Sequence, residues 1–113
     1  MTDQPYARGT VVKGPDLLGA HNHRPYVCLS TQKPPFRDEE AVYAAVTTTR
    51  RSQAIPLAGA DFRSGGLPRE SYVNPWVLVT IKHADIRGIE GQLLEDTVDK
   101  IAREAATHIG ALD

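Results

Sequence analysis

Short apolar runs separated by polar stretches rich in glycine and proline fill most of the chain, and only its C-terminal end carries a helical period. Gly9 to Lys13 and Arg24 to Ser30 each predict a strand, and the unbroken run Tyr26-Val27-Cys28-Leu29 predicts burial of the second on both faces. Between them, the ten residues Gly14 to His23 predict a loop, with Gly14-Pro15 and Gly19 as turn signals. That is longer than a hairpin requires, and long loops on small barrels often carry function.

Lys33 to Glu40 is a polar connection whose prolines cannot continue a ladder. Ala41 to Thr48 predicts a third strand, with Val42, Ala44 and Val46 on one face and Tyr43, Ala45 and Thr47 on the other. Ala54 to Leu57 contains Pro56 and so suits a sheet edge. Ala58 to Glu70, with Gly59, Gly65-Gly66 and Pro68, predicts a loop. Ser71 to Val73 and Trp76 to Ile81 predict two strands broken at Asn74-Pro75, and Ile89 to Leu93 predicts a last one. In the tail, Val98, Ile101, Ala102, Ala105 and Ile109 fall at helical spacing. Asp96 and Asp99 lie toward the start of that helix, His108 lies in its last turn, and Gly110 can supply a left-handed end. Several short strands and one terminal helix predict a small α+β domain, mostly β and antiparallel.

A length of 113 residues fits one domain over 1–113, with a core from about residue 8 to 110. At 41% hydrophobic and 24% charged residues, the composition is that of a globular protein, far from the apolar-poor, charge-rich signature of disorder. No apolar run is long enough for a membrane helix, and Met1-Thr2-Asp3-Gln4-Pro5 lacks a signal-peptide layout, so a cytoplasmic protein without a membrane partner is expected. Cys28 is the sole cysteine; between Val27 and Leu29 it reads as a small core residue and forms no intrachain disulfide. Trp76, after Pro75, reads as a core or interface anchor.

A net charge of −1 lacks the basic excess of dedicated nucleic-acid binders, so any phosphate chemistry must come from local patterning. Among the 13 basic residues arginine dominates, which suits forked phosphate contacts. There is no Walker loop, dinucleotide glycine fingerprint, His-Glu-x-x-His or Gly-x-Ser-x-Gly, and His21-x-His23 has no obvious third ligand nearby. Neither a metal nor a cofactor is expected.

Four strings in order resemble the MazF/PemK (Kid-like) family of type II toxin endoribonucleases. They are Arg8-Gly9-Thr10-Val11-Val12, His23-Arg24-Pro25-Tyr26-Val27-Cys28-Leu29-Ser30, Ala44-Ala45-Val46-Thr47 and Gly66-Leu67-Pro68-Arg69-Glu70-Ser71-Tyr72-Val73. With the helix ended at Gly110, the resemblance covers nearly the whole chain. It implies an SH3-like barrel of the CcdB/PemK type with a C-terminal helix. It also implies a homodimer, metal-independent cleavage of single-stranded RNA or mRNA, and inhibition by a cognate antitoxin.

Cleavage through the RNA 2′-hydroxyl needs a base, an acid and donors toward the phosphoryl oxygens. Within the resemblance, Arg24 and Thr47 are placed on the phosphate. His21 and His23 are candidate proton carriers, since imidazole titrates near neutral pH. Asn22, Thr48, Arg50 and Arg51 are candidate RNA contacts. The chain departs from the family at Val77-Leu78-Val79-Thr80-Ile81-Lys82, where many members carry Gln-Ile-Arg-Thr-Ile/Val-Asp. Val79 and Lys82 stand for the arginine and the acid, so proton transfer falls to His21, His23 or His83, or is lost. Two other readings stay open: a non-catalytic RNA- or protein-binding module on the same barrel, and a gyrase-directed toxin.

Overall fold

The computed structural model describes residues 6–17, 19 and 21–113. The polar start at residues 1–5, and residues 18 and 20 of the loop after the first strand, lie outside the described residues.

Strands β1 (Thr10–Pro15) and β2 (His23–Cys28) pair antiparallel, with Gly14 opposite Arg24 and Pro15 opposite His23. Gly14-Pro15 is therefore strand and not turn. Pro15 sits at the strand's end, where a missing N–H costs least. Gly14 gives the Tyr26 ring its room, because a Cβ there would come within 3.2 Å of that ring and push on it. The expected ten-residue loop shortens accordingly to residues 16–22.

β3 (Glu40–Thr47) lies between β2 and the long β6 (Ser71–Lys82). β6 is one strand where two were expected. As β3 steps from Ala44 to Ala45, its partner on β6 jumps from Leu78 to Asn74, so residues 75–77 are extra and bulge out of the ladder. The Asn74-Pro75 signal marks that bulge. β4 (Ile55–Leu57) is an edge strand on β6, as Pro56 requires. β7 (Gly88–Leu93) pairs with β1 and carries on its other side β5 (Phe62–Gly65), a strand where a loop was expected. The sheet runs β4-β6-β3-β2-β1-β7-β5, a curled antiparallel half-barrel. Its β4 and β5 edges do not pair with each other among the described residues.

Adjacent residues of the central strands enter different cores, which makes β2 continuously apolar. Val11, Val27, Ala44, Val46 and Val73 pack with Val98 and Ile101 of the helix α1 (Glu95–His108). Val12, Tyr26, Cys28, Tyr43, Ala45 and Ile81 form a second cluster on the opposite face. Each core removes apolar surface from water, the main favourable term in folding.

α1 buries Val98, Ile101 and Ala105. The predicted stripe stops short of Ile109, which follows the last helical residue and is exposed. Gly110 has φ +85°, the left-handed end expected of it. Asp61, in a 3₁₀ turn at Gly59–Asp61, ties down the other end of α1. Its carbonyl accepts from Leu94 N–H at 2.8 Å and its carboxylate from the Thr97 hydroxyl at 3.1 Å. No helix among the described residues is long and apolar enough to cross a membrane.

Candidate functional site

The β2–β3 register pairs Tyr26 with Ala45. Continued two residues outward, past Pro25 with its missing N–H, it sets Arg24 opposite Thr47 at the mouth of the sheet. Both lie on the face of the second core. A cleft of about 290 Å³ opens there, with His21, His23 and Arg24 on one wall and Thr47, Thr48 and Thr49 on the other. Arg69 and Ser71 also line it.

Arg24 is held from beneath. Its Nε lies 3.3 Å from Asp16 Oδ1, and the Asp16 carboxylate is 0% exposed while the Arg24 side chain is 20% exposed. Nε has no hydrogen-bond partner of good geometry, so this contact is ionic. The second carboxylate oxygen, Oδ2, accepts from the His21 backbone N–H at 3.1 Å. Asp16 therefore fixes both the cation and the backbone that carries one imidazole. Tyr26 closes the base of the same loop. Its hydroxyl donates to Pro15 O at 2.6 Å and accepts from Leu17 N–H at 3.3 Å. Burial, the largest cause, raises the pKa of that phenol, which keeps it a neutral donor.

Thr47 ends β3, and its Oγ1 accepts from Thr49 N–H at 3.0 Å. With the oxygen serving as acceptor to its own turn, its O–H proton can be directed into the cleft. A fixed guanidinium and a hydroxyl donor thus line one cleft, with two exposed imidazoles beside them.

Five of the eight residues expected from sequence converge here: His21, His23, Arg24, Thr47 and Thr48. Asn22 is exposed on the loop and does not line the cleft. Arg50 lines a neighbouring groove, which shares Arg69 and Ser71 with the first. Arg51 lies apart with Ser52, Gln53 and Trp76. Trp76 belongs to neither core. It is 36% exposed on the β6 bulge, packed edge-on against His108 with ring centroids 5.3 Å apart.

His83 cannot serve this cleft. It follows Lys82, which pairs with Glu40 at the start of β3, whereas Thr47 is the strand's last residue. Seven residue steps at about 3.3 Å each separate those ends by roughly 23 Å. His83 instead donates from Nε2 to Arg37 O at 2.8 Å and packs on Tyr6. Val79, opposite Tyr43, packs on the second core, and Lys82 Nζ pairs with Glu40 Oε1 at 3.5 Å on the surface. Neither lines the cleft. Among the described residues no three His, Cys, Asp or Glu side chains cluster as a metal site.

Sequence reasoning missed Asp16, Arg69 and Ser71. Asp16 carried one signal, an acid eight positions before Arg24 in a loop already singled out for its length. Arg69 stood within a string read only as a fold marker.

No protein-family model matches the chain, and a search of curated proteins by sequence finds no match. Solved structures do match. An endoribonuclease from a mycobacterial species, solved in complex with its cognate antitoxin, superposes with a TM-score of 0.74 at 24% identity, covering 92% of this chain and 94% of that one. The Mycobacterium tuberculosis toxin MazF-mt6 gives 0.70 at 23% identity, over 94% and 99% of the two chains. MazE–MazF of Deinococcus radiodurans gives 0.67 at 14% identity, over 99% and 100%. The chain has the fold of these proteins along nearly its whole length.

Proposed function

We propose that this chain is the toxin of a type II toxin–antitoxin system, an endoribonuclease that cuts single-stranded RNA at the Arg24–Thr47 cleft. The observation that carries the reading is the convergence of a buried-anchored arginine, a strand-end hydroxyl and two imidazoles in one cleft. The shared fold with an endoribonuclease and with MazF toxins supports it.

In this mechanism the scissile phosphate lies between the Arg24 guanidinium and the Thr47 hydroxyl. The 2′-oxygen attacks the adjacent phosphorus, its proton passes to a base, and the bond to the leaving 5′-oxygen breaks as that oxygen takes a proton from an acid. We assign the exchange of those protons to His21 and His23, which line the cleft. Arg24 and Thr47 stabilise the charge that grows on the phosphoryl oxygens, where fixed donors act most strongly. The products are a 2′,3′-cyclic phosphate and a free 5′-hydroxyl.

An antitoxin that occupies the cleft is the proposed protein partner, by analogy with the neighbour solved with its cognate antitoxin. A homodimer acting in the cytoplasm completes the proposal. The second reading, a non-catalytic module on this fold, draws on Val79 and Lys82, which are a core residue and a surface ion-pair partner with no role in the cleft.

The test is incubation of the purified protein with mixed-sequence RNA in excess EDTA. Internal cuts ending in 2′,3′-cyclic phosphate are expected, and Arg24→Ala should abolish them while the fold is retained. RNA left intact at micromolar protein refutes cleavage and leaves the binding module.

A further inference from the structure

The cleft at Arg24 and Thr47 has a neighbour across Arg69. Arg69 and Ser71 also line a second, larger groove of about 560 Å³, so the two spaces adjoin at those side chains. Arg50 stands over the second groove, while Pro56, Leu67 and Pro68 give it an apolar wall. Its acidic residue is Glu70, whose Oε1 accepts from the Tyr72 hydroxyl at 2.8 Å. That bond raises the Tyr72 pKa, keeping the phenol a neutral donor to the carboxylate. Tyr72 is only 8% exposed, so Glu70 is tethered to a fixed point.

Resting on the nuclease reading above, we propose that this groove is a second nucleotide subsite, which holds the nucleotide beside the scissile phosphate and selects guanine. Arg50 and Arg69 take its phosphate. The prolines and Leu67 cover one face of the base. The tethered carboxylate accepts from the Watson–Crick edge, the edge by which unstacked RNA bases are read. Guanine alone among the four bases presents two parallel N–H donors there, N1–H and the N2 amino group, and a carboxylate accepts both at once. Uracil presents a single N–H between two carbonyls, which the carboxylate repels. Adenine and cytosine present one amino donor beside an acceptor nitrogen.

The wild-type protein and Glu70→Gln are each titrated with GMP, AMP, CMP and UMP, followed by the shifts of their backbone amides. Glutamine keeps an acceptor for the Tyr72 hydroxyl, so the variant retains the groove. GMP is expected to shift amides of residues 57–59 and 67–72 at concentrations roughly tenfold below the other three, and Glu70→Gln to erase that difference. Equal responses to all four nucleotides in the wild type, or an unaltered GMP preference in the variant, overturn the subsite.

Cleavage of random-sequence RNA by the same two proteins separates this outcome from the nuclease reading. Guanine at one fixed position beside the cut, lost in Glu70→Gln, supports the subsite. Cutting with no flanking preference and no GMP preference removes the subsite and keeps the nuclease. A GMP preference without any cutting keeps the subsite and removes the nuclease.

Discussion

Replacing Asp16 with asparagine isolates the electrostatic support of the cleft. The substitution keeps the shape of the side chain and an acceptor oxygen for the His21 N–H, now 3.1 Å from Oδ2, but removes the charge 3.3 Å from Arg24 Nε. At that separation, and with an effective dielectric constant of about 20, the gross attraction is about 5 kcal/mol. Most of it is offset by the cost of taking both ions out of water. Removing one member of a fully buried pair typically costs 3–5 kcal/mol. Here the Arg24 side chain is 20% exposed and can recover some hydration, which lowers the expected cost to about 2 kcal/mol. For a chain of this size that corresponds to a fall of roughly 8 °C in melting temperature. The guanidinium also loses its anchor, and a displacement of about 1 Å in a catalytic group can lower the rate by about 100-fold. Thermal unfolding by circular dichroism, with steady-state cleavage of a short RNA, reads both effects. A variant that melts within about 2 °C of the parent and cuts within about threefold of its rate would show that Asp16 neither stabilises nor orients Arg24.

Thr47→Val should leave stability nearly unchanged, since valine suits a strand and the exposed Thr49 N–H can turn to water, while kcat falls roughly 100-fold or more with little change in KM; single-turnover rates equal to the parent's would remove the hydroxyl from the mechanism. Binding of a non-cleavable 2′-O-methyl RNA should depend on salt through Arg24, Arg50 and Arg69, with a log–log slope of about −2 and a roughly 20-fold loss between about 50 and 200 mM salt. A slope near zero would mean that these arginines do not meet phosphate. Burial raises the pKa of both the Cys28 thiol and the Tyr43 phenol, so the fold holds them neutral at pH values where the unfolded chain ionises them. That contribution is complete below the ordinary thiol and phenol values and is lost as pH rises above them, so urea midpoints should decline in alkali. Tyr43→Phe should blunt the decline above about pH 10, and an undiminished decline in that variant would assign the effect to other groups.

Strand existence was legible wherever apolar residues ran together, because a buried strand has no polar face to obscure it. β2 and β3 are the clearest cases, and their expected faces match the two cores at Ala44 and Val46 on one side and Tyr43 and Ala45 on the other. β5 was not legible. It is four residues long, and Arg63, Ser64 and Gly65 are exposed on the sheet edge. Its existence depends on the approach of β7, so close that a Cβ at Gly65 would strike the Glu90 carbonyl oxygen. A glycine pair that seals two strands cannot be told from a loop by local sequence. Nor can a proline at a bulge be told from one between strands: Pro75 interrupts the hydrogen bonding of β6, but the pairing resumes with β3 after the bulge.

Arg24 and Thr47 were legible through the family resemblance, and the register of β2 on β3 brings both to one cleft. Asp16 was not, since the burial of a loop carboxylate follows from how Tyr26 closes the loop over it. Net charge was the least informative quantity. Several acids answer internal needs: Asp99 meets Arg8 at 2.9 Å, Glu40 meets Lys82, Asp61 holds the start of α1, and Asp16 underlies Arg24. Arg37, by contrast, is buried and donates to the carbonyls of Thr31 and Tyr6, where it cannot meet a ligand. Arg24, Arg69 and Arg50 line two adjoining clefts, and clefts focus field lines more than an overall charge of −1 disperses them. Valine at position 79 takes no cation from these clefts: that position packs on the second core, and the arginines that line them come from β2 and from the loops before β4 and β6.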